Sequence, residues 1–315
     1  MTCECGVNKR KIANEEMKFI EIGANLTDPR FRGIYNGKQV HADDFSQMLQ
    51  RATNAGVERI IVTSGTAHEG IEALQLVKNH DNLFTTIGCH PTRCNEFEEN
   101  PGGPDQYYQK LLDIATDESA KGKVVAIGEC GLGTEFMDIL FLYSILSSRE
   151  ENITLTNKLI RIIHMVRKHR DKFTRGVVHS ITCDIEEMER AVSLGLHLGI
   201  NGCSLKTKEN LEVARRVPVD LLMIETDAPW CDIRPTHASY SHLNSTTLSK
   251  EMMELYQPPS RKKEKFEQGL MVKGRNEPCC IGQVLYVLAS IRGTNPETLA
   301  EKIYENTRKF FFNEE

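Results

Sequence analysis

Short apolar runs alternate with longer amphipathic stretches along most of this chain. Each run is rich in Val and Ile, and a polar or glycine-containing loop separates it from a stretch with helical spacing. Near-continuous apolar strands that alternate with helices are typical of a parallel sheet with helices on its faces. We therefore predict strands in seven runs: KFIEIG (18–23), RIIVTS (59–64), LFTTIG (83–88), VVAIGE (124–129), GVVHS (176–180), LHLGIN (196–201) and LLMIET (221–226).

The spacing of these runs suits βα units, eight of which close into a barrel. One strand is missing from that count, and one of the two widest gaps lies between VVAIGE and GVVHS. The best candidate in this gap is NITLT (152–156), which is short and precedes an amphipathic stretch. We predict an α/β fold, a TIM-like (βα)8 barrel whose fourth-to-fifth βα unit is shortened or degraded.

Two amphipathic stretches have clear helix ends. DFSQMLQRATNAG (44–56) carries apolar side chains on one face and ends at Gly56. NPETLAEKIYENTRKFF (295–311) begins with Asn295 as the helix cap and Pro296 at the first helical position. Both stretches fit helices that cover a parallel sheet.

No domain boundary interrupts the pattern. We predict a single barrel domain over residues 18–315, preceded by a disordered leader over residues 1–17 that lacks the apolar segment of a secretory signal. The segment from Asp232 to Pro278 is long and polar. Insertions of this kind in barrels usually shape the mouth of a binding site.

Composition limits where the protein can be located and which molecules it can bind. The net charge of −5 argues against binding nucleic acid by bulk electrostatics, so any such contact has to be local. No apolar stretch approaches the roughly 20 residues of a membrane helix. Ten cysteines without a secretory signal argue for free thiols in a reducing compartment. We therefore predict a nuclear or cytoplasmic protein, or one found in both, that is not secreted and has no membrane partner.

Polar side chains follow the predicted strands at the points where they end. In a parallel barrel these ends converge on one face, where the chemistry takes place. Two histidines and several carboxylates on separate strand exits form a plausible ligand set for a divalent ion such as zinc, magnesium or manganese. The strand-exit residues are Asn25, His90, Glu129, His179, Asn201, Glu225 and Asp227.

Each of these residues has a structural alternative. Asp227 precedes Ala228-Pro229 and can cap a turn, His179 can be a hydrogen-bonded core histidine, and His90 can pack in a loop. Glu129 is harder to explain in this way, because a carboxylate between glycines at a buried strand exit needs a cation or several N–H donors. Taken together, the set favours a metal site.

Several phrases of the sequence resemble one known family. FIEIGANLTDPRFRGIY, IGCHPTRC, VVAIGECGL, GVVHS, GINGCSLKT, LMIETDAPWC and RNEPC are similar to the TatD-related DNase family, above all its eukaryotic branch. The resemblance covers Lys18 to Phe312 except for Gly133 to Arg161. It implies a hydrolase with an amidohydrolase-like barrel that uses one or two divalent cations (Mg, Mn or Zn) and acts on DNA phosphodiesters, often as an exonuclease.

The resemblance also implies roles for individual residues. Glu129 corresponds to a metal ligand that can bridge two ions, and His179 to the metal histidine that follows the sixth strand. Asp227 corresponds to an aspartate that binds metal and acts as the catalytic base for the attacking water. His90 corresponds to a histidine that meets the substrate phosphate.

Other basic and aromatic residues have weaker signals. Arg93 and Lys206 follow strand exits and are candidates to hold substrate phosphates. Six basic and two acidic residues lie between Arg261 and Arg275, which fits either a phosphate-binding loop or a solvated one. Trp230 is the only tryptophan, and it can stack on a base or wedge its own loop. The predicted partner is DNA as substrate, with no obligate protein partner evident.

The sequence departs from the family pattern in two places. Gly23-Ala24-Asn25 replaces the His-x-His that many members carry after the first strand. Farther on, Gly133 replaces an aspartate, about a dozen residues are missing, and Thr154 stands where the family has a metal histidine. Loss of a ligand weakens metal affinity by at least about 10–100-fold. The sequence therefore leaves three alternatives: an impaired DNase, an inactive form that keeps the barrel for binding or regulation, and a hydrolase of C–N or lactone bonds.

Overall fold

Eight parallel strands form the central sheet, and they are arranged in the order of the sequence. The computed structural model describes residues 17–131, 152–156, 166–243 and 248–314, with only the backbone at 131 and 152–156. The strands are β1 (Phe19–Ala24), β2 (Val57–Val62), β3 (Leu83–Ile87), β4 (Val124–Gly131), β5 (Asn152–Thr156), β6 (Arg175–Val178), β7 (His197–Ile200) and β8 (Leu222–Ile224).

Backbone and carboxylate hydrogen bonds join the exit of β8 to β1. The amide of Asp227 donates to the carbonyl of Gly23 at 2.8 Å, and the amide of Asn25 donates to the carbonyl of Ala228 at 2.7 Å. The buried carboxylate of Glu21 accepts the amide of Thr226 at 2.9 Å. The sheet therefore curls into a TIM-like barrel, as predicted, and its first and last strands meet at the rim where the parallel strands end.

Helices cover the sheet because each parallel connection has to cross over its face. Within the described ranges they are α1 (Phe45–Asn54), α2 (Ala67–Lys78), α3 (Glu96–Glu99), α4 (Gly103–Ala115), α5 (Ile185–Ser193), α6 (Lys208–Arg216), α7 (Lys250–Tyr256), α8 (Ile281–Arg292) and α9 (Pro296–Phe311). None of the helices in the described ranges is long and apolar enough to cross a membrane.

The two helix ends predicted from sequence are present. α1 ends at Asn54, ahead of Gly56, which has φ +82° and sits where a Cβ would lie 2.0 Å from the carbonyl oxygen of Met17. Asn295 caps α9 by accepting the amide of Thr298, and Pro296 occupies the first turn. Glycine at such a position and an Asn-Pro start follow directly from backbone sterics.

The predicted strand in NITLT exists. β5 pairs in parallel with β4 and with β6, and Thr154 lies opposite Val177. The predicted shortening of the unit between β4 and β5 concerns residues 132–151, which lie outside the described residues. The same holds for residues 1–16 of the predicted leader, whereas Met17 is buried against the core.

The long polar segment after β8 is more structured than a loop. It contains α7 and a short parallel pair formed by Ser260–Arg261 and Met271–Val272. Arg275, the last of the six basic residues counted in this segment, fits neither a phosphate-binding loop nor a solvated one, because its side chain is 1% exposed and pairs with the buried carboxylates of Asp44 and Glu277. Burial of a guanidinium requires such partners.

Candidate functional site

The three predicted metal ligands lie together at the rim. Glu129 at the end of β4, His179 after β6 and Asp227 after β8 come from distant parts of the chain. The Oε1 atom of Glu129 lies 3.3 Å from Nε2 of His179, and Oδ1 of Asp227 lies 3.7 Å from the same nitrogen. One imidazole nitrogen therefore faces two carboxylates.

Glu225 fixes the orientation of His179. Its Oε2 atom accepts a hydrogen bond from Nδ1 of His179 at 2.6 Å. Its other oxygen accepts the amide of Ser180 at 2.6 Å and the side-chain amide of Asn201 at 3.2 Å. A carboxylate only accepts hydrogen bonds, so Nδ1 carries a proton and Nε2 is the nitrogen presented to Glu129 and Asp227.

The site has an excess of negative charge around this imidazole. Burial by itself lowers the pKa of His179, but the carboxylates of Glu225 and Glu129 outweigh that effect, so the pKa is raised well above its ordinary value. Hydrogen bonds with Asp227 and Glu225 add to the increase. The surroundings thus favour a positive charge at this point, which an imidazolium or a bound cation can supply.

The Glu129 carboxylate has few donors of its own. Its side chain is 8% exposed, and the imidazoles near it in the described residues are those of His179 and His90, the latter with Nε2 at 3.7 Å from Oε2. Burial raises the pKa of Glu129 to about 7, although the charge of His179 lowers it. A buried carboxylate in this situation is stabilised by a nearby cation.

Asp227 is held by its neighbours in an unusual backbone conformation. Its φ is +54°, in the left-handed region that few residues other than glycine adopt. Oδ1 accepts the side-chain amide of Asn25 at 2.9 Å, and Oδ2 accepts the thiol of Cys231 at 3.2 Å. Burial raises the pKa of Asp227, but the hydrogen bond and the charge of His179 lower it more, so the net shift is downward.

His90 has the opposite tautomer to His179. Its Nδ1 atom accepts the backbone amide of Thr92 at 3.2 Å and lies 2.7 Å from the hydroxyl of the same residue. Burial lowers the pKa of His90, and the positive charge of His179 lowers it further. A neutral ring that accepts at Nδ1 carries its proton on Nε2, the nitrogen nearest Glu129, where it is available as a donor.

These residues line a cavity of about 820 Å³ at the rim. Arg93, predicted to hold phosphate, lines the cavity together with His90. Lys206, the other predicted phosphate residue, is exposed and is not among the lining residues. The remaining lining residues that matter for charge are Asp28, His68, Glu69 and Glu72.

Gly23 lets β1 approach this cluster closely. A Cβ at this position would lie 2.7 Å from the ring of His179 and 3.0 Å from Oε2 of Glu225. Position 23 therefore has no room for a side chain, which agrees with a glycine there in place of the first histidine of His-x-His.

The donor chemistry fits a divalent cation. Two ligands of one ion, each bonded at about 2.1 Å, lie roughly 3.0–3.4 Å apart. The 3.3 Å between Glu129 and His179 falls in this range, whereas the 3.7 Å between His179 and Asp227 exceeds it. Within the described ranges no three His, Cys, Asp or Glu side chains are placed to hold an ion as they stand. Small side-chain shifts have to accompany binding.

Sequence reasoning identified Glu225 and Asn25 as strand-exit residues but gave them no role. Glu225 orients the imidazole of His179, and Asn25 donates to the Asp227 carboxylate. The available signal for Glu225 was its position two residues before Asp227, which places two carboxylates on the same face of a strand exit.

Comparisons with known proteins show which family this chain resembles. Residues 23–143 and 153–312 match the family model described as TatD related DNase. The match is interrupted only between 143 and 153, so it extends into the segment Gly133 to Arg161 that the sequence phrases left uncovered.

Two relatives and one solved structure give the extent of the similarity. Deoxyribonuclease Tat-D of Schizosaccharomyces pombe is 38% identical over 309 residues, which cover 93% of this chain and 95% of the relative. The 3′-5′ ssDNA/RNA exonuclease TatD of Yersinia pseudotuberculosis is 27% identical over 316 residues, with coverage of 92% and 98%. The crystal structure of an uncharacterized amidohydrolase from Saccharomyces cerevisiae matches with a TM-score of 0.84 and 29% identity, covering 94% of this chain and 100% of that one.

Proposed function

Because this chain belongs to the TatD-related DNase family, matching its model over residues 23–143 and 153–312, we propose that it is a metal-dependent deoxyribonuclease. The resemblance predicted from sequence is thereby confirmed. The proposed reaction is hydrolysis of DNA phosphodiester bonds, in an exonuclease-like manner. The observation that carries the proposal is the meeting of Glu129, His179 and Asp227 at one cavity. The relatives named deoxyribonuclease and 3′-5′ exonuclease support it.

Glu129, His179 and Asp227 would hold one or two divalent cations, Mg, Mn or Zn. When bound, such a cation would polarise the phosphoryl oxygen and lower the pKa of water at the site. A cation also balances the carboxylates that line the cavity, which otherwise repel a polyanionic substrate.

The side chains of this protein divide the remaining tasks. Asp227 stays ionised because its pKa is lowered, and it accepts the proton of the attacking water. Glu225 keeps Nε2 of His179 directed at the ligand cluster. His90 donates from Nε2 to a phosphate oxygen, and Arg93 contributes a charged donor from the same cavity wall. Lys206 would act farther out, on a phosphate beyond the cavity.

We propose that this form is impaired compared with relatives that have a histidine at the position of Thr154. With one imidazole fewer, its affinity for the cation is lower by at least about 10–100-fold. The nucleus, the cytoplasm or both remain the proposed locations. An inactive form that binds DNA without cleaving it is the alternative, and the missing histidine is the observation that favours it.

A nuclease assay on the full chain tests the proposal. Labelled single-stranded DNA is incubated with Mg²⁺, Mn²⁺ or Zn²⁺ and the wild type or Asp227→Asn, which keeps the shape of the side chain and removes its charge. We expect cleavage that requires metal and falls by at least about 100-fold in the variant. Equal cleavage by both proteins contradicts the proposal, and absence of cleavage with DNA binding retained supports the inactive alternative.

A further inference from the structure

The rim cavity that Glu129, His179 and Asp227 line is called the ligand cavity from here on. A second cavity, of about 600 Å³, lies beside it. It is formed by the turn after β1 and by the segment before α8. Asp28 and Pro29 line both cavities, so the two share a wall. The charged and aromatic lining residues that the following argument uses are Arg30, Tyr35, Lys262, Lys263, Glu264 and Lys273.

The second cavity is positively charged although the chain as a whole carries −5. Lys262, Lys263 and Lys273 make no ion pair with any residue in the described ranges; Lys263 lies 4.5 Å from the centre of the Tyr35 ring. The lining includes two acidic residues, Asp28 and Glu264. Asp28 pairs with Arg30, whereas Glu264 makes no ion pair within the described ranges. Three ammonium groups without an ion pair in the described ranges, against one carboxylate, leave a surplus of positive charge that suits phosphates.

An aromatic surface lies where the two cavities meet. Trp230, three residues after Asp227, lines the ligand cavity and is 46% exposed. The guanidinium of Arg30, a lining residue of the second cavity, lies 3.7 Å from the centre of the Trp230 ring. The buried Arg275 donates to the backbone carbonyl of Arg30 at 3.0 Å and so fixes the turn that carries it.

This arrangement fits a single strand better than a duplex. A free base stacks on an exposed tryptophan or on a guanidinium plane, while its phosphates follow a basic groove. Bases in a duplex are already stacked on one another and reach an aromatic ring only after they are pulled out of the helix.

We propose that the second cavity is a binding site for single-stranded nucleic acid. The strand runs from the ligand cavity, across Trp230 and Arg30, to Lys262, Lys263 and Lys273, which hold phosphates of nucleotides away from the scissile bond. This inference rests on the proposed function, since it assigns a path to the substrate of that site.

Intrinsic fluorescence tests the stacking step directly, because Trp230 is the only tryptophan in the chain. The full-length protein is titrated in Mg²⁺ with a 12-nucleotide phosphorothioate oligothymidylate, whose backbone resists cleavage. We expect saturable quenching of Trp230. An abasic strand of the same length should quench far less, and a blunt duplex should quench less than the single strand. Binding of the oligothymidylate without quenching, or equal quenching by the duplex, overturns the proposal.

Substitution of the three lysines tests the phosphate contacts. Lys262→Gln, Lys263→Gln and Lys273→Gln are combined, and binding is followed by anisotropy of labelled strands. A single strand releases about 0.7 counterion per phosphate contact, so the slope of log affinity against log salt should fall by about 2. Affinity for the 12-nucleotide strand should fall about tenfold or more at low salt. A trinucleotide, which fills only the ligand cavity, should bind the variant and the wild type equally.

The control variant combines Lys110→Gln, Lys121→Gln and Lys309→Gln, three exposed lysines outside both cavities. It removes the same charge and should bind the long strand as the wild type does. Equal weakening in both triple variants, or equal weakening of the trinucleotide and the long strand, overturns the proposal. These outcomes are separate from failure of the proposed function, which appears as absence of metal-dependent cleavage whether or not the strand binds.

Discussion

At the scale of single residues, the site depends on how each histidine is held. Glu225 accepts a hydrogen bond from Nδ1 of His179, whereas the backbone amide of Thr92 donates to Nδ1 of His90. With a cation in place of the Nε2 proton of His179, the two imidazoles at one cavity would present opposite properties, a lone pair on His179 and a donor on His90. In the proposed mechanism, a metal ligand and a phosphate-binding group thus arise from the same residue type through their hydrogen-bond partners.

Replacement of Glu225 by Gln tests this positioning role. The variant keeps the size of the side chain but exchanges one acceptor oxygen for an NH₂ group, which conflicts with Nδ1 of His179 or with the amide of Ser180. We expect the affinity for Mn²⁺ and the cleavage rate to fall by about 10–100-fold. Isothermal titration with Mn²⁺ measures the affinity.

Thermal unfolding of the same variant separates positioning from stability. The control is Glu254→Gln, which alters a carboxylate with 64% exposure that pairs with Lys250 at 3.9 Å. It should leave both metal affinity and the unfolding temperature unchanged. If Glu225→Gln lowers the unfolding temperature but binds Mn²⁺ like the wild type, the residue supports the fold and not the ligand geometry.

The sequence predicted which residues would gather at the rim, because strand exits in a parallel barrel converge. The sequence did not predict which side chains hydrogen-bond to each other. The contact of Glu225 with His179 joins residues 46 positions apart and depends on the rotation of both side chains. The burial of Arg275 was missed for the same reason. Its partner Asp44 lies 231 positions away in the sequence. From its sequence neighbours alone, Arg275 is one of several basic residues in a polar segment.

At the scale of elements, a buried network joins α1 to the segment before α8. Arg275 donates to both oxygens of Asp44, at 2.8 and 2.6 Å, and to Glu277 at 2.8 Å. Arg51 in α1 pairs with Glu277 at 2.7 Å. Removing one member of such a network leaves charges buried without partners, which costs more than the pairs contribute to stability.

Arg275→Met tests the network. It leaves Asp44 and Glu277 with Arg51 as their remaining partner among these four residues, so we expect the free energy of unfolding to fall by about 3–5 kcal/mol. Urea denaturation measures the change. Arg261→Met is the matched control, since its side chain is 60% exposed and pairs only loosely with Glu267. A loss below about 1 kcal/mol in both variants contradicts a structural role for the network.

The fifth strand carries a second prediction at this scale. Position 154 lies in β5, between β4 with Glu129 at its end and β6, which precedes His179. If loss of a histidine impairs this form, Thr154→His should raise Mn²⁺ affinity by about tenfold or more, and cleavage with it. Thr116→His, at an exposed position outside the rim cavity, is the control. No gain at position 154, or the same gain at both, contradicts the proposed impairment.

At the scale of the whole molecule, the barrel brings residues that are distant in the sequence together at one site. Its closure depends on bonds from the last strand exit to the first, with Asp227 and Asn25 taking part in the closing bonds themselves. The rim that completes the fold is therefore also the rim that carries the proposed metal ligands. The alternation of apolar runs and helices was sufficient to predict this architecture, because eight parallel βα units have few ways to close.

The central claim is that Glu129, His179 and Asp227 share a divalent cation, and crystals grown with Mn²⁺ test it most directly. We expect an anomalous difference peak at the rim cavity, about 2.0–2.3 Å from Nε2 of His179 and from carboxylate oxygens of Glu129 and Asp227. The peak should vanish in Asp227→Asn crystals or move away from that residue. A fully occupied peak elsewhere, or none at a Mn²⁺ concentration that supports cleavage, contradicts the account.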